Sequence, residues 1–333
     1  MRRRIQKFRA NRRGYFSLWI FLLLAAVTLP AEFITNDKPL IVRYKGEFFF
    51  PLLRDYPESV FGGFLAVTDY RAPFIIEEIE ADGWMLWPLF KYGYRTINRN
   101  PDTPAPSPPT KENPLGTDNQ SRDVLARLIY GFRTTILFSS FLTLFSYILG
   151  IITGAVQGYF GGVVDIALQR FIEIWSGLPL LFILIILFGM FSPGFWLLLG
   201  ILLLFNWTSL SGIVRVEFLR VRNFSYVKSA KALGAGDFYI MRKHMLPNAL
   251  AAALSYLPFM FIGAITMLIA LDFIGFGLPP GSASLGELLS QGRANLHAPW
   301  LGITGFLSIA VTLVLIVFIS EAVRDAFDPR KTY

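Results

Sequence analysis

The sequence predicts an all-α integral membrane protein with six transmembrane helices and a long soluble insert between the first and second. Three observations carry that class. Mean hydropathy is +0.50 and only 16% of residues are charged, against about a quarter in ordinary soluble domains. Six apolar runs approach or exceed the ~20 residues needed to cross ~30 Å of hydrocarbon. Basic residues gather in alternate connections between those runs.

Residues 1–14 form a basic tail holding Arg2, Arg3, Arg4, Lys7, Arg9, Arg12 and Arg13. The first span is expected over 15–34. It is long enough to cross and lacks a small-x-small cleavage site before Glu32, so a retained helix is favoured over a cleaved signal peptide. The insert covers 35–113. In it, Leu40–Tyr44 and Phe48–Phe50 flank Lys45-Gly46-Glu47 and predict a hairpin. Trp84, Trp87, Phe90, Tyr92 and Tyr94 read as a small-domain core or an interfacial belt, with contact to substrate or partner as the alternative. Pro101–Thr110 contains Pro101, Pro104, Pro106, Pro108 and Pro109 and reads as a stiff extended linker.

Over 114–131 an interfacial helix is expected, with Val124, Leu125, Leu128 and Ile129 on one face and Arg122, Asp123 and Arg127 off it. The membrane core, 132–320, holds the remaining spans at about 134–157, 175–191, 195–214, 251–275 and 301–320. Gly150, Gly154 and Gly158 recur every fourth residue, as close helix packing requires. Ser192-Pro193-Gly194 is a tight turn. Asn206, Thr208, Ser209 and Ser211 sit at membrane depth, where polar groups bond to neighbouring helices or line a wet pathway. Asp272 near the end of the fifth span is a further pathway candidate.

With the amino end inside, six spans place the 158–175 loop, the 215–250 loop and the 321–333 tail inside as well. The inside then carries 18 basic and 7 acidic residues, and the outside 13 and 16. The net charge of +8 is therefore an orientation signal, and nucleic acid is not expected as a partner.

The 215–250 loop is basic and soluble between two apolar spans. Val227, Ala230 and Lys231 fall at helical spacing before a break at Gly234-Ala235-Gly236. A second helical turn is expected from Asp237, as N-cap, to a stop at Pro247. A helix-Gly-helix held between membrane spans suits docking of a cytoplasmic partner.

These residues resemble the cytoplasmic loop of ATP-binding-cassette (ABC) importer permeases, whose pattern is Glu-Ala-Ala, three residues, Gly, nine residues, then Ile-x-Leu-Pro. Lys228, Ser229 and Ala230 stand at the Glu-Ala-Ala positions, Gly234 at the Gly, His244 at the Ile, and Leu246-Pro247 at the end. Lys228 and Ser229 depart from the pattern, and the Gly and Leu-Pro spacing is kept. Pro114-Leu115-Gly116-Thr117-Asp118 and Arg122-Asp123-Val124-Leu125-Ala126-Arg127-Leu128-Ile129-Tyr130-Gly131 resemble a more specific stretch of the peptide/nickel branch, with Ser121 in place of its Gly. Leu271–Pro280, Leu285–Leu289 and Val323–Arg330 are also similar to that branch. The enlarged insert with this ending most resembles the second permease subunit of microcin C–type peptide importers.

The resemblance implies the type I ABC importer permease fold, with an enlarged periplasmic insert. It also implies a multi-pass subunit of the bacterial inner membrane that forms half of a peptide pathway. Expected partners are a second homologous permease, ABC ATPase subunits, a periplasmic solute-binding protein, the peptide and membrane lipid. No cofactor is expected on this chain, and ATP and Mg belong to the ATPase. Direct motif reading agrees that the chain is not an enzyme. It has no Gly-x4-Gly-Lys-[Ser/Thr] phosphate loop, no Gly-x-Ser-x-Gly and no His-Glu-x-x-His. Without cysteine it has no thiolate metal site, and its two histidines, His244 and His297, fall on opposite sides of the expected topology. The rival reading is an ion-coupled secondary transporter or a membrane enzyme with no ATPase partner. Those would need ionisable groups, inverted repeats or a nucleophile–base pair at membrane depth.

Overall fold

The computed structural model describes residues 2–98 and 104–327, with side chains from Ile5 onward. Pro101 and the Asp328-Pro329-Arg330 ending lie outside the described residues.

In chain order the first helices are α1 (Arg2–Ala10), α2 (Arg12–Thr28) and α3 (Ala31–Ile34). The expected 15–34 span is therefore broken at Leu29-Pro30, because proline cannot donate the next helical hydrogen bond. The insert follows with β1 (Ile41–Tyr44), β2 (Glu47–Phe49), α4 (Pro73–Asp82) and β3 (Gly83–Leu86). Five membrane-core helices come next: α5 (Val124–Phe160), α6 (Gly162–Ser176), α7 (Leu180–Met190), α8 (Phe195–Asn206) and α9 (Thr208–Val221). The chain ends with α10 (Ser225–Ala232), α11 (Asp237–Ile240), a π turn (Met241–Met245), α12 (Leu246–Phe273), α13 (Leu285–Ala294) and α14 (Pro299–Phe327). Among the described residues, four continuous segments are long and apolar enough to cross a membrane: Val124–Phe160, Phe195–Val221, Asp237–Phe273 and Pro299–Phe327. The pair α6 and α7 is bent by 70° and makes a fifth candidate.

Three further boundaries differ from the expectation. The 175–191 run is not one straight span. Gly177-Leu178-Pro179 separates α6 from α7, and the residue before a proline disfavours helical geometry. The helix expected over 114–131 begins only at Val124 and continues as the first turns of α5. Pro247 does not stop a helix but lies in the first turn of α12. The π turn just before it changes the hydrogen-bond step where the proline lacks its donor, so the helix passes on to Phe273.

Two compact units are present. The first comprises Met1–Leu22, Thr135–Pro279 and Ala310–Tyr333. In it, Gly150, Gly154 and Gly158 bring α5 against α9. A Cβ at Gly154 would lie 2.4 Å from the Ser211 carbonyl oxygen, and one at Gly158 would lie 2.4 Å from Phe218 Cβ. The glycine stripe is thus a packing face, as its spacing predicts. One core gathers Ala155, Tyr159, Phe218, Val221, Val227 and Ile240, and a second gathers Phe138, Leu184, Leu198 and Leu268.

The second unit comprises Leu23–Thr134 and Pro280–Ile309. Its antiparallel sheet has the order β2-β1-β3. The expected hairpin is there, and Lys45 (φ 50°) and Gly46 (φ 84°) supply the two positive φ values of a type I′ turn. One sheet face packs Val42 and Tyr44 on Phe61, Ile75 and Ile79. The five aromatics of 84–94 do not form one cluster. Trp84 is exposed, Tyr92 is buried and Tyr94 packs at a 39° tilt on Tyr130, ring centres 4.7 Å apart.

Contrary to the amphipathic reading, Arg122, Asp123 and Arg127 are buried. Arg122 Nε donates to Asp118 Oδ2 at 2.7 Å, and Arg127 Nη2 donates to Glu287 Oε2 at 2.6 Å and to the Ser282 carbonyl at 2.8 Å. Arg127 Nε makes an ion contact with Asp118 at 3.3 Å. Asp123 starts α5, accepting the Ala126 N–H at 2.6 Å and Asn113 Nδ2 at 2.8 Å. The ions are paired because an isolated buried charge would be far too costly.

Candidate coupling surface

The segment from α10 to the π turn is built from its backbone outward. Helix α10 ends in a Schellman motif: the Ala235 N–H reaches the Ala230 carbonyl at 3.1 Å and the Gly234 N–H reaches that of Lys231 at 3.0 Å. Gly234 has φ +81°, the left-handed conformation this cap needs, and open space where a Cβ would be. Asp237 is the first residue of α11 rather than its cap, a position held by Gly236.

Val227, Ile240 and Met245 anchor the segment in the apolar core formed with Ala155, Tyr159 and Phe218. Polar contacts add to this. Tyr159 OH donates to Asp237 Oδ1, Arg222 Nη1 donates to the Tyr159 carbonyl at 3.2 Å, and the Lys231 ammonium lies 6.0 Å from the Tyr159 ring centre. Nearby, Arg215 on α9 forks onto Asp165 on α6, with Nη2 to Oδ2 at 2.7 Å. A two-pronged guanidinium–carboxylate contact fixes orientation as well as distance.

The opposite face is open. Lys228 and Ser229 are exposed, and Ala230 is half-buried against the core. His244 is half-buried, its ring 5.7 Å from Tyr239 and 6.2 Å from Tyr226, and its carbonyl accepts Asn248 Nδ2 at 3.1 Å. Leu246 packs on the core and Pro247 is exposed. Leu233 and Phe238, which motif reading missed, are 87% and 75% exposed, with Tyr226 and Tyr239 also exposed and Lys228, Lys231, Arg242 and Lys243 among them. Both stand within four residues of Gly234, and an apolar residue beside a helix-capping glycine is the signal that was available.

The membrane-depth polar residues are bonded. Asn206 Nδ2 donates to Ser146 Oγ at 3.2 Å, Thr208 to the Phe205 carbonyl at 2.9 Å and Ser209 to that of Asn206 at 3.1 Å. Ser211 Oγ accepts Thr153 Oγ1 at 3.0 Å. The buried Asp272 accepts the Leu278 N–H at 2.7 Å, closing the turn after α12.

Residues 146–333 match the family described as "Binding-protein-dependent transport system inner membrane component". The chain is 56% identical to the inner membrane ABC transporter permease protein YejE of Escherichia coli, across 98% of this chain and 96% of that one. It is 54% identical to the peptidoglycan transport system permease protein YejE of Agrobacterium fabrum, across 100% and 93%. It is 32% identical to the oligopeptide transport system permease protein OppC of Lactococcus lactis, across 68% and 78%. The MetNI methionine ABC transporter in inward-facing conformations shares the fold, with a TM-score of 0.51 and 16% identity over 61% of this chain and 96% of that one.

Proposed function

From the premise that the chain belongs to the binding-protein-dependent transport system inner membrane components, we infer that it is a permease subunit of an ATP-driven peptide importer. It forms half of the pathway beside a second, homologous permease. Separate ATPase chains bind ATP and Mg on the inner side, and a soluble binding protein delivers peptide outside. Both termini then lie in the cytoplasm, as the basic amino tail favours.

The observation that carries this reading is the coupling surface. An exposed apolar and cationic face rests on a backbone tied to α5 and α9 through Tyr159 and Arg222. Seated in an ATPase cleft, such a face passes a rigid-body displacement to the membrane helices. Leu233 and Phe238 are the apolar anchors, Lys228, Lys231 and Arg242 the cationic rim, and Gly234 sets the angle between α10 and α11. Ser229 and Ala230 keep the contact face of α10 small, His244 packs beneath Tyr239, and Leu246-Pro247 hands the motion to α12. At membrane depth, Thr208, Ser209 and Asn206 flank the pathway on α8 and α9, and Asp272 stands at its outer end.

The test is copurification in mild detergent with the Leu233→Glu, Phe238→Glu double variant. We expect the second permease to be retained, the ATPase lost and peptide-dependent ATP hydrolysis abolished. Retention of a fully active ATPase by this variant would sink the coupling role. Because Gly234 needs a positive φ, its substitution would strain the backbone as well as the contact, so the exposed side chains are the cleaner probe.

A further inference from the structure

The insert holds a loop, residues 62–68, that is tied from beneath by hydrogen bonds and carries exposed apolar side chains at its tip. Its ends are pinned by Phe61 and Tyr70, both buried, with ring centres 5.7 Å apart. Beneath it lies the buried carboxylate of Glu58. One oxygen accepts the N–H groups of Phe64 at 3.2 Å and Leu65 at 3.1 Å, and the other accepts that of Asp69 at 3.4 Å. The Glu58 N–H reaches the Leu65 carbonyl at 3.0 Å, and Thr68 bonds the Tyr56 carbonyl through both its N–H and its hydroxyl. Gly62 has φ +84°, and a Cβ on Gly63 would lie 2.5 Å from the Glu58 carboxylate.

The tip carried on this frame is Phe64, Leu65, Ala66 and Val67. Phe64 is 101% exposed. A loop ordered by a buried acceptor loses little further entropy on contact, which is the condition for a preformed binding element. Its surroundings choose between a membrane and a protein as occupant. Val67 borders a groove of about 900 Å³ lined by Lys38, Arg71 and Arg95 and also by Asp37 and Asp69. An anionic leaflet attracts cations alone. An apolar anchor beside a rim of both signs is the anatomy of a protein–protein contact.

We propose that the 62–68 loop is an anchor for the soluble binding protein, with Phe64 entering an apolar pocket on that partner and the 37–38/69–71/95 groove receiving its polar rim. This rests on the importer reading, which supplies a soluble partner on the side of the insert. Glu58 is a positioning residue that holds the loop in its docking shape.

The experiment uses the whole complex in lipid nanodiscs and follows ATP hydrolysis as purified binding protein is titrated. For Phe64→Ser we expect the half-maximal binding-protein concentration to rise at least about tenfold. Basal hydrolysis and subunit composition should not change. Glu58→Gln should give a smaller rise, because the side chain keeps one acceptor oxygen. An unchanged titration for Phe64→Ser overturns the loop assignment alone. Loss of the second permease from the Phe64→Ser complex also overturns it, in favour of a permease–permease contact. A wild-type complex that binding protein does not stimulate at all overturns the importer reading beneath it.

Discussion

In the coupling segment Lys228, Lys231, Arg242 and Lys243 stand in solvent, whereas in the stretch before α5 Arg122 and Arg127 are 3% and 0% exposed. Both stretches are rich in polar residues and both resemble permease motifs. The first is shaped by backbone caps and leaves its side chains free to meet another chain. The second is shaped by its side chains, which consume one another: Arg122 on Asp118, Arg127 on Glu287 and Ser282. A recurring polar pattern therefore marks either a surface to be met or a buried brace. What separates the two is that Arg122 and Arg127 are paired with acids.

The contrast can be broken most forcefully at Arg127. Arg127→Met leaves the buried Asp118 and the partly buried Glu287 with one cation fewer, and should destabilise the second unit by about 3–5 kcal/mol. Thermal unfolding in detergent or limited proteolysis of the insert would read it. Substitutions at Lys228 or Lys243 should leave unfolding unchanged, and equal losses at both places would erase the distinction. Gly154→Leu tests the apolar counterpart. Its Cβ would meet the Ser211 carbonyl oxygen at 2.4 Å, so α5 and α9 must part, at about 1–3 kcal/mol. A disulfide-trapping assay between cysteines introduced on the two helices should slow accordingly.

Tyr159→Phe is milder. It removes the hydrogen bond to Asp237 and should cost about 0.5–1.5 kcal/mol. Faster amide hydrogen exchange confined to α10 and α11 is the expected sign, and exchange unchanged there would mean the apolar anchors alone hold the segment. The smallest effect concerns pH. Burial pushes the Tyr70 hydroxyl up to about 12, against an ordinary value of 10.0. Its neutral form is favoured by folding, so that contribution is fully present below pH 10. It fades as pH rises through 12, because the unfolded chain releases its proton first. Absorbance titration of tyrosinate, compared between the wild type and Tyr70→Phe, should show one resisting group lost in the variant, and no difference would place Tyr70 in contact with water.

Much of the framework was legible where a local rule decides. The glycine stripe follows from steric contact alone, and the hairpin from a Lys-Gly turn between apolar runs. The break at Gly177-Leu178-Pro179 was written in the sequence too, but apolar residues on both sides drew it into one hydrophobic run. Pro247 reads as a stop because proline lacks a donor, and the π turn that accommodates it has no pattern of its own. Arg127 was placed on a solvent face because helical spacing sees only neighbours four residues away. Its partner Glu287 lies 160 residues on. Glu58 escaped notice for a related reason: its carboxylate serves backbone N–H groups, and these are the same whatever the residue. In the coupling segment the motif names Lys228, Gly234 and Pro247 and passes over Leu233 and Phe238, the most exposed apolar side chains there.

The helical path through Pro247 has a mechanical consequence. Because α11, the π turn and α12 are continuous, Asp237–Phe273 is one lever of 37 residues, with a contour of about 55 Å. Tilting such an arm about its middle by roughly a tenth of a radian displaces each end by about 3 Å, in opposite senses, by this geometry. A push of a few ångströms at Asp237 then reaches Asp272 at the far end without any side chain along the way having to change partner. Stroke and reach are set by the length of the arm, and its yielding points are the π turn and Pro258, which interrupts the helical hydrogen-bond ladder near the middle.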